Sequence, residues 1–257
     1  MLFRSAIDVG NSNIVLGAIE NGEISRIIHM HTDDEYTAAE YGVKLRQLLE
    51  FYDVDVRAFD GAIIASVVPP ITDALKKAVK YLTGLDALVV GPGMKTGMNV
   101  RIDDPGTLAG DLVVGSVAAM TCYGPPVIVL DLGTATTMVV VDGSSTYRGG
   151  AIMPGVKLGL QALSAGTSLL PDISVSAPKK VIATNTVDAM RSGAVFATAA
   201  MIDGMIDRME EELGRKCQVV ATGGLSKAVV PWCKHDIIYD DRLLLKGLWI
   251  LYEKNTK

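Results

Sequence analysis

Two short stretches of the chain, Asp8-Val-Gly-Asn-Ser-Asn13 and Asp131-Leu-Gly-Thr-Ala-Thr136, share the pattern Asp-x-Gly-(Asn/Thr)-x-(Asn/Thr). Each stretch follows an apolar run and leads into a second apolar run that ends at an Asx-Gly pair, Asn21-Gly22 or Asp142-Gly143. Such pairs favour tight hairpin turns. Asp131 lies 123 residues after Asp8, which is about the length of one domain. The repeat therefore predicts two domains of like topology that face each other.

The residue types in both stretches suit the binding of a nucleoside triphosphate. Glycine lets the backbone approach phosphate oxygens closely, and the N–H groups of such a turn form an anion cradle. Asn, Ser and Thr side chains add hydrogen-bond donors without charge. Each aspartate ends a strand, where it can hold a cation or its water shell. One such turn alone is an ordinary hairpin, but two matched copies favour a pair of loops that hold a triphosphate from opposite sides.

Other nucleotide-binding patterns are absent or incomplete. The chain has no G-x-x-x-x-G-K-[ST] motif, which excludes a P-loop enzyme. The stretch Gly91–Gly97 follows an apolar run, but its glycine spacing does not fit a dinucleotide fingerprint, and a loop is predicted there. The stretch Val219–Leu225 reads as a strand that enters the turn Thr222-Gly-Gly224. This turn is either a plain strand-to-helix connection or, beside two phosphate loops, a contact for adenosine.

The overall composition limits the class of protein. The 257 residues are enough for one large or two modest domains, and 49% are hydrophobic but only 5% aromatic. Small aliphatic residues therefore form most of the core, as in buried parallel or mixed sheets covered by helices. The net charge of −5 argues against nucleic acid as the main partner. The longest apolar runs are too short to cross a membrane, and no cleavable signal follows Arg4, so a cytoplasmic location is expected.

The cysteines and histidines give little sign of a metal site. The three cysteines are scattered without C-x-x-C spacing, so reduced thiols are expected. His29 and His31 alternate as neighbours on a strand do, which predicts a surface or edge-strand position.

The hydrophobic periodicity alternates between strands and helices and predicts an α/β fold with mixed sheets. Two domains are predicted, residues 1–115 and residues 116–257. The predicted strands are residues 3–8, 14–19, 24–30, 61–67, 87–90, 127–131, 137–141 and 218–221. The predicted helices are residues 33–52, 71–82, 185–213 and 243–254.

Taken together and in order, the motifs of this chain resemble those of type III pantothenate kinases over nearly the full length. They are Asp8–Asn13, Ser66-Val-Val-Pro-Pro70, Gly91–Gly97, Asp131–Thr137, Gly149-Gly-Ala-Ile-Met-Pro-Gly155, Asn185–Gly193, Thr222–Gly224 and Leu245–Leu248. The resemblance implies the actin/hexokinase (ribonuclease H-like) architecture and transfer of phosphate from ATP to the primary hydroxyl of pantothenate, the first step towards coenzyme A. It further implies a homodimer, Mg²⁺ with the ATP, and a monovalent cation such as K⁺ or NH₄⁺.

The resemblance also assigns roles to particular residues. Asp111 matches the catalytic aspartate that accepts the proton of the attacking hydroxyl, and Asp131 matches the ligand of the monovalent cation. From the residues alone, a helix cap at Asp111 is the competing interpretation, because an apolar run follows it. Asp8 is expected to hold the divalent metal, directly or through water. The remaining expected ATP contacts are Asp8, Val9, Gly10, Asn11, Ser12, Asn13, Ile14, Val15, Gly133, Thr134 and Gly223. The remaining expected substrate contacts are Ala109, Gly110, Leu112, Ile102 and Thr186.

The acceptor segment departs from the family pattern at two positions. The usual Gly-Ala-Asp-Arg reads Ala109-Gly110-Asp111-Leu112 here, and Ile102 replaces a tyrosine typical of the substrate site. An arginine that pairs with an anionic substrate is therefore missing, and Lys95, Arg101 and Arg148 are candidate replacements. Two alternatives to pantothenate phosphorylation follow. They are a kinase for a different hydroxylated small molecule and a non-catalytic nucleotide-binding paralogue.

Overall fold

The computed structural model describes residues 3–256, which form two compact units. The first unit contains residues 3–97, 104–118 and 242–256, and the second contains residues 98–103 and 119–241. The predicted domain boundary at residues 115/116 lies close to the change after Ala118. The predicted C-terminal domain, residues 116–257, is nevertheless not one piece. Its last helix packs in the first unit because that helix buries an apolar face against the first unit's sheet.

The first unit is built on a five-stranded mixed sheet with the order β3-β2-β1-β4-β5. β1, β2 and β3 are antiparallel neighbours, whereas β4 is parallel to β1 and to β5. His29 and His31 lie on β3, which is an edge strand as expected. The strands are β1 (Phe3–Val9), β2 (Asn13–Glu20), β3 (Glu23–His31), β4 (Gly61–Ser66) and β5 (Leu88–Val89).

The helices of this unit begin and end where local chemistry requires it. Thr37 and Glu40 form a capping box, with Thr37 N donating to Glu40 at 2.8 Å, so α1 begins later than the predicted residue 33. Pro69 and Pro70 occupy the first turn of α2, where proline costs no hydrogen bond, and Gly84 ends that helix in the left-handed conformation. The helices are α1 (Ala38–Phe51), α2 (Pro69–Thr83), the first part of α3 (Gly110–Tyr123) and α8 (Leu243–Thr256).

Strand alternation gives the first sheet two different faces. Ile7 and Val9 of β1 belong to a core cluster that also contains residues of α1 and α2. The helix α8 packs on the opposite face. Gly17 of β2 lies so close to Leu245 of α8 that a Cβ added at Gly17 would be 2.9 Å from the leucine side chain. Gly247 of α8 in turn packs directly against Val114 of α3.

The second unit is built on a six-stranded mixed sheet with the order β11-β10-β7-β8-β9-β6. β7, β8 and β9 are antiparallel neighbours, and β10 is parallel to β7 and to β11. The strands are β6 (Asn99–Val100), β7 (Val127–Leu132), β8 (Ala135–Val141), β9 (Thr146–Pro154), β10 (Gln218–Thr222) and β11 (Ile238–Tyr239). The helices are α4 (Val156–Gly166), α5 (Thr186–Ser192), α6 (Thr198–Leu213) and α7 (Ser226–Val229).

The two sheets repeat one topology. The order β3-β2-β1-β4-β5 in the first unit corresponds to β9-β8-β7-β10-β11 in the second, with the same parallel and antiparallel pairings. β6 is an addition at the edge of the second sheet. The prediction of two like-topology domains with mixed sheets flanked by helices, the actin/hexokinase-like architecture, is thereby confirmed. No helix in the part of the chain that the structure describes has the length and hydropathy of a membrane span.

Candidate functional site

The first Asp-x-Gly stretch forms the turn between β1 and β2, and residues 10–12 of this turn are called loop 1. The N–H of Gly10 donates to the carbonyl oxygen of Asn13 at 3.0 Å, which closes the turn. The side chains of Asn11, Ser12 and Asn13 are exposed. Loop 1 and the residue after it therefore present polar side chains at the surface.

Loop 1 is attached to its own unit from two sides. Val67 N donates to the carbonyl oxygen of Val9 at 3.1 Å, which joins the loop to the end of β4. Thr32, the residue after β3, donates its backbone N–H to Ser12 O at 3.1 Å and its hydroxyl to Gly10 O at 2.6 Å. The loop backbone is thus held in one conformation by the rest of the unit.

Asp8 and the Asp111 segment lie at the same corner of the first unit. Ile7 and Val9 face the core with α1 and α2, so the intervening Asp8 points to the face that carries α8 and α3. Asp111 lies in the first turn of α3. The preceding Gly110 lies at the ends of β4 and β5, since a Cβ there would be 3.9 Å from Ser66 N and 3.6 Å from Val90. Ser66 pairs with Val9, which joins this segment to loop 1.

The environment of Asp111 favours a basic carboxylate. Burial raises the pKa of the Asp111 carboxyl, although the Leu112 N–H donates to its Oδ1 at 2.7 Å and thereby opposes the rise. A half-buried carboxylate with a raised pKa accepts a proton more readily than one in water. The helix cap suggested as the competing interpretation is not seen at Asp111, because α3 begins at Gly110 and Ala109 O accepts the first helical hydrogen bond, from Val113 N at 3.2 Å. A carboxylate in the first helical turn nevertheless interacts favourably with the helix dipole.

The second Asp-x-Gly stretch forms the turn between β7 and β8, and residues 133–134 are called loop 2. Its Gly133 N–H donates to Ala135 O at 3.0 Å, the counterpart of the bond at Gly10. The two turns differ in length, because Asp8 pairs with Val15 but Asp131 pairs with Thr137, one position sooner. The two turns are therefore less alike in structure than in sequence. The side chains that follow the glycine do not occupy equivalent positions.

Two segments of the second unit meet at Asp131, the end of β7 and the turn after β10. Leu130 and Leu132 belong to the core cluster with α6, so the half-buried Asp131 faces the other side of the sheet, as Asp8 does in the first unit. Gly223 has a φ of +91°, and a Cβ at this position would collide with Asp131 Oδ1 and with the backbone of Leu132. Leu225 N also donates to Leu132 O at 3.3 Å. The turn at Thr222–Gly224 is thus packed directly on loop 2, which a sequence spacing of more than 80 residues does not reveal.

Gly155, the residue after β9, supports loop 2 from another side. A Cβ at Gly155 would collide with the carbonyl oxygens of Gly133 and Thr134. The same glycine lines a cavity of about 440 Å³ together with α4, α5 and Thr186. Thr186, an expected substrate contact, is exposed at the start of α5, whose N-cap Asn185 accepts from Asp188 N at 2.9 Å.

The remaining predicted substrate residues are divided between the units. Ala109, Gly110 and Leu112 lie with Asp111 in the first unit, and Ala109 O accepts from Val113 N at 3.2 Å in the first turn of α3. Ile102 belongs to the second unit, where it contacts Gly149 of β9. The structure therefore joins Ile102 to the second sheet.

The three candidate replacements for the missing arginine differ in their surroundings. Arg148 is paired with Asp142, with 3.2 Å between Nη1 and Oδ2. Lys95 is exposed in a loop of the first unit, and Asn255 of α8 holds its backbone through bonds of 2.9 and 3.1 Å. Arg101 is exposed in the second unit, where its N–H donates to Tyr147 O at 3.0 Å. None of the three cysteines, all of which lie within the described residues, forms a disulfide bond.

The supporting roles of two residues, Thr32 and Gly155, were not predicted, although Gly155 ends the motif Gly149–Gly155. Each directly follows the third strand of its sheet, β3 or β9, and each braces the Asp-x-Gly turn of that sheet. If the comparison of the two halves had included the third strand of each sheet, it would have aligned Thr32 with Gly155. Neither residue lies near its loop in sequence, and their types differ, so the shorter motif gave no indication of them.

Comparison with known proteins gives one family and several similar folds. The sequence model of type III pantothenate kinases matches residues 6–208, a range that contains loop 1, Asp111, loop 2 and Thr186.

Three solved structures share the fold at low sequence identity. Component A of (R)-2-hydroxyglutaryl-CoA dehydratase from Acidaminococcus fermentans is 13% identical over 100% of both chains, with a TM-score of 0.61. A conserved Baf family protein from Campylobacter jejuni is 18% identical over 98% of both chains, with a TM-score of 0.60. The ethanolamine utilization protein EutJ from Carboxydothermus hydrogenoformans is 12% identical over 98% of this chain and 90% of its own, with a TM-score of 0.55.

Proposed function

The chain belongs to the type III pantothenate kinase family, which phosphorylates pantothenate in coenzyme A biosynthesis, and we propose that Asp111 is the base of this reaction and that both Asp-x-Gly loops contact ATP. The observation that carries this assignment is the family match over residues 6–208, which includes every element of the proposed site except the Gly223 turn. The chain is accordingly a phosphotransferase that uses ATP with a divalent metal.

The proposed step transfers the γ-phosphoryl group to the primary hydroxyl of pantothenate. A bond forms between the hydroxyl oxygen and the γ-phosphorus, the bond from that phosphorus to the bridging oxygen of ADP breaks, and the hydroxyl proton passes to Asp111. Such transfers depend mainly on alignment and charge neutralisation. The raised pKa of Asp111 supports its role as acceptor, since a better base takes the proton more readily.

The ATP contacts are assigned to residues whose surroundings suit them. Asn11 and Ser12 of loop 1 and the following Asn13 are exposed, as is Thr134 of loop 2, so both turns offer hydrogen-bond donors suited to phosphate oxygens. Gly223, packed on loop 2, is proposed to lie against the nucleoside.

The two aspartates are assigned to the cations. Asp8 and Asp131 are half-buried carboxylates at strand ends, and oxygen donors of this kind fit Mg²⁺ and a monovalent cation. We assign Asp8 to Mg²⁺, directly or through water, and Asp131 to K⁺ or NH₄⁺. When bound, these ions neutralise phosphate charge, while the protein's own groups hold the nucleotide and move the proton.

Lys95 is the proposed partner of the pantothenate carboxylate in place of the missing arginine. Its loop follows Val90, which contacts Gly110 beside Asp111, and all of these residues belong to the first unit. Arg148 is the weaker candidate because Asp142 already pairs with it. Lys95→Met should raise the KM for pantothenate at least about tenfold, since a charged hydrogen bond contributes about 1.5 to 3 kcal/mol, whereas Arg148→Met should not.

A homodimer is also proposed. Large apolar side chains are exposed along one stretch of the chain, residues 152–182, from β9 through α4 to the segment before α5. They are Ile152, Leu158, Leu163, Leu169, Val181 and Ile182. Sedimentation velocity tests this proposal, and Leu163→Glu should shift a wild-type dimer towards monomer.

The direct test of the proposed function is ADP release with and without pantothenate, in potassium buffer with Mg²⁺. Release that requires pantothenate is expected. ATP binding without turnover would identify a non-catalytic paralogue. Turnover with another alcohol but not with pantothenate would support the alternative suggested by Leu112, a kinase for a different acceptor.

A further inference from the structure

Thr32 donates two hydrogen bonds to loop 1 from a position outside the motif. Its N–H bonds to Ser12 O at 3.1 Å and its hydroxyl to Gly10 O at 2.6 Å. Thr32 lies 22 residues after Gly10, and the hairpin of β2 and β3 brings the two residues together.

These two bonds fix the direction of backbone N–H groups as well as carbonyl groups. In a planar trans peptide the C=O and N–H bonds point in opposite directions. When Gly10 O points to Thr32, the N–H of Asn11 must therefore point away from it. The same constraint applies to Ser12 O and the N–H of Asn13. Thr32 thus holds two carbonyl oxygens towards itself, and the N–H groups of Asn11 and Asn13 point in the opposite direction.

The second unit has a brace at the corresponding place, made in a different way. Gly155 follows β9 as Thr32 follows β3, and its α-carbon packs against the carbonyl oxygens of loop 2 without space for a side chain. Both sheets therefore hold their Asp-x-Gly turn with the residue after the third strand. In the first unit the contact between this residue and the turn includes the hydroxyl group of Thr32, which a single substitution can remove.

We propose that Thr32 is a positioning residue for ATP, which orients the backbone donors of loop 1 towards the phosphates without touching the substrates itself. This proposal rests on the proposed function, in which loop 1 binds ATP. The role is specific to the nucleotide, so its loss should affect ATP and leave pantothenate binding unchanged.

The test compares Thr32→Val, which removes the hydroxyl at nearly constant volume, with Thr32→Ser, which retains it. Thr32→Val should raise the KM for ATP about three- to tenfold, the effect of one lost hydrogen bond, and change the KM for pantothenate and kcat less than twofold. Thr32→Ser should restore the KM for ATP to within about twofold of wild type. Thr83→Val is the matched control, because that hydroxyl donates to Val79 O at 2.8 Å near the C-terminal end of α2.

Hydrogen exchange of the nucleotide-free protein measures the brace independently of activity. The segment that contains loop 1 should exchange faster in Thr32→Val than in wild type, Thr32→Ser or Thr83→Val. An unchanged KM for ATP in Thr32→Val would overturn the proposal, as would an equal loss for both substrates accompanied by the same loss in Thr32→Ser. If the wild-type protein bound no ATP, the proposed function would fail instead, and the exchange comparison would still decide whether Thr32 orders the loop.

Discussion

Replacement of Asp111 by asparagine tests the central chemical assignment. Asparagine has nearly the same shape, and its Oδ1 can still accept the 2.7 Å hydrogen bond from Leu112 N–H, but it cannot take a proton from an alcohol. General-base catalysis contributes about 10² to 10⁴ in rate, so kcat should fall by that factor. At about 1.4 kcal/mol for each tenfold change, the barrier rises by about 3 to 5 kcal/mol. Affinity for ATP should remain close to that of the wild type.

The same substitution should not destabilise the protein at neutral pH. Burial raises the pKa of Asp111, so between the unfolded and folded pKa values the folded state holds more protons than the unfolded chain. Stability therefore decreases as the pH rises through that window, and at pH 7 the wild type carries the cost of a half-buried charge. Asp111→Asn removes this cost, and its unfolding temperature at pH 7 should equal or exceed that of the wild type. The difference should disappear in acid, where the wild-type carboxyl is protonated.

Steady-state ADP release, calorimetric ATP titration and thermal unfolding at several pH values measure these effects. Asp104→Asn is a suitable control, since Asp104 accepts a backbone hydrogen bond from Gly106 N at 3.0 Å but is exposed and outside α3. In the wild type, kcat/KM should fall at low pH as Asp111 is protonated, and this fall should be absent in Asp111→Asn. A turnover within tenfold of wild type would remove Asp111 from the role of base. If kcat/KM of the variant still fell at low pH as in the wild type, the decrease would belong to another titrating group.

Three further predictions concern the second unit. Gly223→Ala should destabilise the protein by about 1 to 3 kcal/mol and weaken ATP binding, because Gly223 has a φ of +91° and a Cβ there would clash with Asp131. Gly224→Ala should have neither effect, since a Cβ at Gly224 would meet open space. Equal melting temperatures and ATP affinities for the two variants would contradict this account. Activity should be higher in potassium than in sodium buffer, and Asp131→Asn should abolish the difference. Equal wild-type rates in the two salts would argue against a cation at Asp131. Gly155→Ala should lower the free energy of unfolding by about 1 to 3 kcal/mol, because the added Cβ would clash with loop 2. Gly159→Ala in α4 is the control in denaturant unfolding, since no atom lies within 4 Å of a Cβ there.

Features encoded in neighbouring residues were predicted from the sequence and are present in the structure. Alternating apolar residues and the Asn21-Gly22 pair produced the hairpin of β2 and β3, and Gly84 ended α2 as expected. Where several local preferences competed, the boundary was less certain. The prediction began α1 at residue 33, but the capping box of Thr37 begins it at Ala38. The strand β9 was not predicted, because Gly149-Gly150 interrupts the strand pattern, and the helix α4 was not predicted either.

The sequence by itself determined the duplicated fold and the family, because each is encoded in short motifs of fixed spacing. Only the tertiary structure decided that α8 completes the first unit, that Gly223 packs on Asp131, and that Thr32 braces loop 1. It also showed that the second turn is one residue shorter than the first. These facts depend on strand register and on contacts between distant segments. Such contacts arise from the packing of whole sheets and helices, and no local pattern of residue types encodes them.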